Sequence, residues 1–388
     1  MEQYHIVTYS AGEDILTINW SDGHISSYYY IYLRDNCPSV ENIHENGQKI
    51  TETADIDPLI KPAVVTLLQE NHINIIWEQD GHHSQFSARW LRNHCLSRQE
   101  IEKRESRNSL LEPVELWDGT LNIGVPLADY HQVSTDEISL TVWLEYIRRY
   151  GFAVLNDVPL ITSAVCEVAR LFGYVRETNY GRSFQERTVL RPGNLACSSR
   201  ALSPRTENPY RNPTPTLQLL HCMQNSVQGG DVIVVDGFKV ASDFRKRYPE
   251  LFELLSSIPV SFRFRDSGHW IERKTTIIGL GPEKEICAIR FNNRSIQPFE
   301  IEGHLIPQFY KAYQTFSRML EDENYQVKFK MKPGDLFIAD NERVLHGRTS
   351  FNSKEGKRYL QGTYADRDGL LSKLRMLKIA QTYPSYED

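Results

Sequence analysis

Residues 332–358, KPGDLFIADNERVLHGRTSFNSKEGKR, carry the densest chemistry in the chain. A PGD turn opens a strand, DNERVLHGR follows it, and Arg358 falls 12 positions after His346 at the head of the strand-like RYLQGTYAD. On neighbouring antiparallel strands an imidazole and a guanidinium can point into one barrel mouth and serve a metal and a carboxylate together. On spacing alone the same residues also fit a surface hairpin with a solvated His and Arg.

The elements that would position this pair are short strands. Residues 4–9, 15–20 and 24–32, then 63–68, 74–78 and 84–87, alternate apolar and polar side chains between turn signals, which describes a small β-rich unit. The charged run RQEIEKRESR at 98–107 reads as a linker or a solvated helix, and a domain boundary is placed near 110–115, dividing 1–112 from 113–388. Beyond it, Leu140, Trp143, Leu144 and Ile147 repeat at helical spacing over 137–150, the strand GFAVLNDV follows, and a second helix is expected over 162–172. Strand-like segments then recur at 217–222, 231–235, 259–265, 274–280, 286–292, 326–330, 335–339 and 358–364, with helical insertions at 240–257 and 303–321. Many short strands with few helices imply a closed or sandwiched β-architecture with helical buttresses. No internal repeat is evident.

Composition narrows the function classes. With 388 residues, 40% hydrophobic and 24% charged, the chain is globular and long enough for two or three domains. A net charge of -6 provides no basic field for nucleic acid or an anionic membrane. No segment approaches a spanning helix and the N-terminus lacks the pattern of a signal peptide, so a cytoplasmic protein is expected. Six scattered cysteines without a CxxC read as free thiols.

Several segments together carry a family resemblance. In sequence order, NLACSSRALSPRTENPYRNPTPTLQLLHC at 194–222, GGDVIVVDGF, FNNRS, DNERVLHGRTSF and GTYADRD resemble the γ-butyrobetaine and trimethyllysine hydroxylases. LRDNCP and GHHSQFSARWLRNHC are similar to the small accessory domain of that family, so the resemblance covers most of the chain. It implies a mainly β fold with helices, a double-stranded β-helix (jelly-roll) core, and iron(II)- and 2-oxoglutarate-dependent oxygenase chemistry of the taurine-dioxygenase-like group. By the same resemblance His346 matches the distal iron ligand and Arg358 the clamp on the far carboxylate of 2-oxoglutarate. Asn194 and Asn292 fall among the polar groups around the cosubstrate. Tyr180, Phe184 and Tyr364 match an aromatic cage for a trimethylammonium group, held by cation–π attraction, and Cys197 stands at a further cage position. Each aromatic also fits ordinary core packing. Relatives are commonly dimeric, so a homodimer and a small-molecule substrate are the implied partners.

Two positions depart from the family pattern. Where it requires His-x-Asp, this chain reads Arg205-Thr206-Glu207. Glu207 can replace Asp with one added methylene, but a guanidinium has no lone pair to give and carries a charge where the cation would sit. His346 and Glu207 remain as metal ligands, with Arg205 beside them as the third catalytic candidate; His221 and His269 are the remote substitutes. In the accessory domain, the family's three zinc cysteines read Cys37, Ser39 and Asn42, with His82 retained, and structural zinc is not expected. A substitute set of Cys37, His44, His82 and His83 would need favourable geometry. Two readings follow. One is an oxygenase that hydroxylates a small polar or cationic, betaine- or amino-acid-like metabolite. The other is a metal-independent descendant that uses the pocket for redox-neutral acid/base chemistry or for binding a small anion.

Overall fold

The computed structural model describes residues 4–68, 71–108, 111, 113–121, 124–187, 199–352 and 356–382. The chain divides into two compact units, 1–110 and 111–388.

The first unit contains β1 (Ile6–Ala11), β2 (Ile15–Trp20), β3 (Ile25–Tyr29) and α1 (Tyr30–Asp35). It continues with β4 (Pro62–Leu68), β5 (His72–Trp77), β6 (His83–Ser87), α2 (Ala88–Asn93) and α3 (Arg98–Asn108). The strand expected over 24–32 ends at Tyr29, because Tyr30, Leu33 and Arg34 are buried at helical spacing and turn the chain into α1.

The two sheets, β1-β2-β3 and β4-β5-β6, are copies of one motif, which corrects the expectation of no repeat. Trp20 Nε1 donates to Ser26 Oγ and Trp77 Nε1 to Ser84 Oγ, both at 2.8 Å. The copies then bond reciprocally. Arg34 pairs with Asp80 at 2.7 Å while Arg92 pairs with Asp22 at 2.9 Å. Cys37 Sγ lies 3.3 Å from His82 Nε2 while Cys95 Sγ lies 3.4 Å from His24 Nε2. Each half thus brings a carboxylate and an imidazole to the buried arginine and thiol of the other, a pseudo-twofold arrangement around the shared core of Leu16, Ile18, Ile73 and Ile75.

The second unit opens with β7 (Leu127–Asp129), α4 (Tyr130–Thr135), α5 (Glu137–Tyr150), β8 (Phe152–Asn156), α6 (Ala164–Arg170), β9 (Phe184–Arg187) and β10 (Leu202–Arg205). β11 (Leu217–Asn225), β12 (Val232–Asp236), α7 (Gly237–Arg247), α8 (Pro249–Ser257), β13 (Val260–Arg265) and β14 (Trp270–Thr275) follow. It closes with β15 (Ile278–Leu280), β16 (Ile286–Ile289), α9 (Ile306–Glu321), β17 (Gln326–Phe329), β18 (Leu336–Asp340), β19 (Val344–Arg348), β20 (Arg358–Ala365) and α10 (Arg367–Thr382). The insertion expected over 240–257 is two helices, since Pro249 has no N–H to continue α7 and instead starts α8. The strand expected over 274–280 is shared between two hairpins, β13–β14 and β15–β16.

Two sheets, ordered β7-β8-β18-β11-β20-β9 and β10-β19-β12-β17, form the double-stranded β-helix. Period-two alternation sorts their side chains. On β8, β11 and β18, Ala153, Leu155, Leu217, Leu219, Leu336 and Ile338 face the helices α5, α6 and α10. Phe152, Val154, Leu220, Cys222, Phe337 and Ala339 face inward, toward Val232, Val234 and Val344 of the other sheet. The second sheet turns Val235 and Leu345 outward against α7, α8 and α9. Among the described residues, no helix is long and apolar enough to cross a membrane, and Cys37, Cys95, Cys166, Cys222 and Cys287 are free thiols.

One buried ion pair ties the barrel end together. Arg343 donates from Nε and Nη2 to the two carboxylate oxygens of Asp236 at 3.1 and 2.7 Å, and also to the carbonyls of Arg149 and Glu115. Asp236 in turn accepts the N–H groups of Phe238 and Lys239, capping α7, and that of Trp117. Arg343→Met strands this carboxylate in an apolar interior and is expected to lower unfolding stability by about 3–5 kcal/mol, measured by urea denaturation.

Candidate active site

The site forms where β10 runs beside β19. Arg205 pairs directly with His346 across the two strands, and His346 with Val234 on β12, so all three side chains share the inner face. The approach of β10 requires Gly347, because a Cβ there would stand 2.3 Å from the carbonyl oxygen of Leu202. Just past β10, Asn341 fixes Glu207 at both backbone ends, its Oδ1 accepting from Glu207 N at 2.6 Å and its Nδ2 donating to Glu207 O at 2.8 Å.

Three groups converge on one oxygen of that carboxylate. Glu207 Oε1 lies 2.8 Å from Arg205 Nη2, 3.7 Å from Arg294 Nη2 and 3.7 Å from His346 Nε2. Burial alone would raise the Glu207 carboxyl, but Arg205, His346 and Arg294 outweigh it and hold it below the usual carboxylate range. Burial, then Arg205, push the His346 imidazole down to about 4 against the pull of Glu207, so it is neutral at physiological pH.

Two further arginines share this interior. Arg358 falls on the same face of β20 as Leu360 and Tyr364, and Arg348 lies two residues beyond His346 on the inner face of β19. Both guanidiniums stack on Phe351, at 5.2 and 5.9 Å from the ring centre. Burial and then Arg358 push Arg348 down to about 10, while burial lowers Arg358 against the pull of Glu186, with Arg205 adding to the lowering. Arg358 Nε is buried without a hydrogen-bond partner among the described residues, a donor that fits a carboxylate.

The residues do not fit iron. A facial triad needs three donors with lone pairs, and Glu207 and His346 supply two. The third corner is a guanidinium already bonded to the carboxylate. Two unit positive charges 4 Å apart repel by about 4 kcal/mol at an effective dielectric of 20, and a divalent ion about doubles that. Among the described residues no group of three His, Cys, Asp or Glu side chains is placed to hold a metal. Neither remote histidine compensates. His221 alternates with Leu220 and Cys222 and so points to the outer face of β11, and His269 is bonded to Asp266 on an exposed hairpin at 3.0 Å. In the accessory unit, the Asn42 carboxamide is committed to the carbonyls of Cys37 and Asp35 and to Arg34. His44 accepts from Asn46 N and His83 lies on the exposed side of β6, so the substitute zinc set does not assemble.

The aromatic residues lie together. Phe184 lies 5.2 Å from Tyr364 and 6.3 Å from Tyr180 between ring centres, and Phe264 and Tyr210 extend the wall. Tyr180 OH meets Tyr210 OH at 3.2 Å, and Tyr210 OH donates to Asn208 Oδ1 at 2.5 Å. Burial raises all three tyrosines, Tyr180, Tyr210 and Tyr364, so their hydroxyls stay protonated. Asn292 is buried, with its carboxamide bonded to Thr206 O and Arg294 N; it braces the segment that carries Arg205 and Glu207. Asn194 and Cys197 lie outside the described residues. Arg294, Arg348, Asn341 and Tyr210 are site residues that the sequence reading did not single out.

Residues 111–364 match the taurine catabolism dioxygenase TauD, TfdA family, and residues 7–92 match the γ-butyrobetaine hydroxylase-like N-terminal family. The γ-butyrobetaine dioxygenase of Pseudomonas sp. (strain AK-1) is 31% identical over 94% of this chain and 94% of its own length. The human γ-butyrobetaine dioxygenase is 30% identical, with 95% of each chain covered. Rat mitochondrial trimethyllysine dioxygenase is 29% identical over 95% of this chain and 87% of its own.

The aromatic wall depends on Gly362, directly opposite Phe184 on the neighbouring strand, where a Cβ would stand 2.2 Å from the Phe184 ring. Gly362→Ala is expected to displace that ring, change the near-ultraviolet circular dichroism and cost about 1–3 kcal/mol in chemical denaturation, with the far-ultraviolet signal retained.

Proposed function

The chain belongs to the TauD/TfdA family of iron- and 2-oxoglutarate-dependent dioxygenases, and on that premise we propose that it binds a 2-oxoglutarate-class dicarboxylate beside a small polar or cationic metabolite. Arg358 takes the far carboxylate, and Tyr180, Phe184 and Tyr364 line the metabolite's side of the pocket. The observation that carries this reading is the inward-facing Arg358, buried with an uncommitted Nε among the described residues. A buried guanidinium donor is costly to leave unanswered, and a carboxylate answers it with charge-assisted, directional bonds.

For the metabolite, the relatives named for γ-butyrobetaine and trimethyllysine support a betaine- or amino-acid-like class. The aromatic wall suits an ammonium or alkyl group. Part of that wall is already engaged, since the Arg211 guanidinium lies over Tyr180 and Tyr210 at 6.0 and 5.7 Å. Phe184 and Tyr364 are therefore the faces that a substrate cation would use.

Hydroxylation of such a metabolite is the second reading, supported by family membership and by the placement of His346 and Glu207 on the inner face. It needs a third metal donor where Arg205 stands. The geometry favours a pocket that holds its two small molecules without completing an iron triad.

Calorimetric titration of 2-oxoglutarate tests the dicarboxylate assignment. Saturable one-to-one binding is expected, weakened by about 10- to 100-fold in Arg358→Gln, the loss anticipated for a hydrogen-bonded charge pair. Equal affinity in the two proteins would show that Arg358 does not hold the dicarboxylate.

A further inference from the structure

We infer that Arg205 is a built-in cation that stands in for the metal, so that this barrel binds its dianion with no metal present. The inference deepens the dicarboxylate reading above and rests on it for the identity of the anion.

Placement is the first argument. The pairing of Arg205 with His346, and the clamp of Asn341 on Glu207, put guanidinium, imidazole and carboxylate on one inner face around Glu207 Oε1. That oxygen is where the carboxylate and imidazole of a metal site would converge, and the group converging there is Arg205 Nη2 at 2.8 Å, with Arg294 at 3.7 Å behind it. The replacement is chemically matched, since a carboxylate that would bind a cation instead accepts a charge-assisted hydrogen bond from one.

Uncommitted donors are the second. Arg205 uses Nη2 on Glu207, while its Nε and Nη1 are buried and have no hydrogen-bond partner among the described residues. Arg92, in the core of the first unit, likewise keeps Nε and Nη1 without partners, so what distinguishes Arg205 is that its donors are buried on the face it shares with His346 and Glu207. With Arg358 Nε also uncommitted, the pocket presents two separate guanidiniums with donors to give. That is the requirement of a molecule with a carboxylate at each end.

Charge is the third. Arg205 acts on Glu207, Arg348 and Arg358 on Glu186, and Arg294 on both carboxylates, while Arg205 also acts on the other three guanidiniums. Counted as four guanidiniums against the two carboxylates Glu207 and Glu186, the described side chains leave a surplus of two positive charges, which a dianion neutralises without a metal. A divalent cation would enlarge the surplus.

The test uses Mn(II) as the metal probe, followed by electron paramagnetic resonance, and 2-oxoglutarate as the anion, followed by calorimetry in a chelator-treated sample. The wild-type protein is expected to bind 2-oxoglutarate in the chelator, with affinity changed less than about twofold when Mn(II) replaces the chelator. Arg205→Gln should weaken binding in the chelator by about tenfold or more, and the double variant Arg205→His, Glu207→Asp should gain a Mn(II) site at least about tenfold tighter than wild type. Wild-type Mn(II) binding that disappears in Glu207→Gln would overturn the inference, as would unchanged 2-oxoglutarate affinity in Arg205→Gln. A folded double variant that still excludes Mn(II) would overturn it too, and should that variant not fold, the wild-type and Arg205→Gln measurements decide. If wild type binds no 2-oxoglutarate with or without Mn(II), the dicarboxylate reading and metal-free dianion binding fall together. The Mn(II) measurements then still decide whether Arg205 is what bars the metal.

Discussion

A carboxylate enclosed between two sheets must be matched by positive charge, and at Glu207 the matching charge belongs to the chain itself. Much of the surrounding construction serves that match. The β10–β19 register brings Arg205 to the same face as His346, Gly347 lets the strands approach, and Asn341 and Asn292 fix the short segment from Arg205 to Glu207 by its backbone. The same constraint recurs away from the pocket. Arg343 and Asp236 close the barrel end as a fully buried pair, and in the duplicated halves of the N-terminal unit it is the buried arginine of Arg34–Asp80 and Arg92–Asp22 that is met by a part-exposed carboxylate.

The resulting pocket departs from its family in a specific way. The barrel, the inward-facing Arg358 and the aromatic wall of Phe184, Tyr364 and Tyr180 are the parts that the proposed site for two small molecules would use. What changes is the centre, where Arg205 is hydrogen-bonded to Glu207 at the position of a family metal ligand. Four guanidiniums in one interior would repel one another without anions, and Glu207 and Glu186 balance only part of that charge. A dianionic ligand, as proposed, would supply the remainder, making occupancy and electrostatic relief the same event.

Much of this was legible in the amino-acid sequence, for reasons that also mark where it stopped. His346, Arg358 and the Arg205-Thr206-Glu207 departure stand on family pattern; the neighbouring antiparallel strands expected from the 12-residue spacing are instead β19 and β20 of the two different sheets, and period-two alternation turns each residue toward the interior from its own sheet. The same rule made Arg348 readable, since it lies two positions after His346 on one strand. Arg294 and Asn341 were not readable in this way, because only the tertiary fold brings the turns that bear them to Glu207. The duplication in the N-terminal unit left a signal in Trp20, Asp22-Gly23-His24, Ser26, Leu33-Arg34 and Cys37 against Trp77, Asp80-Gly81-His82, Ser84, Leu91-Arg92 and Cys95. So few identities, separated by an unlike loop, become recognisable once the reciprocal ion pairs explain why these positions match. The break between α7 and α8 at Pro249 was available from proline chemistry alone.

An anomalous difference map shows directly what occupies the space beside Glu207 Oε1. Crystals equilibrated anaerobically with Mn(II) and 2-oxoglutarate are expected to show no manganese peak between Glu207 and His346. Arg205 should remain bonded to Glu207, with dicarboxylate density reaching from Arg205 to Arg358. A manganese peak coordinated by Glu207 and His346, with Arg205 swung away, would contradict the account and return the site to metal chemistry.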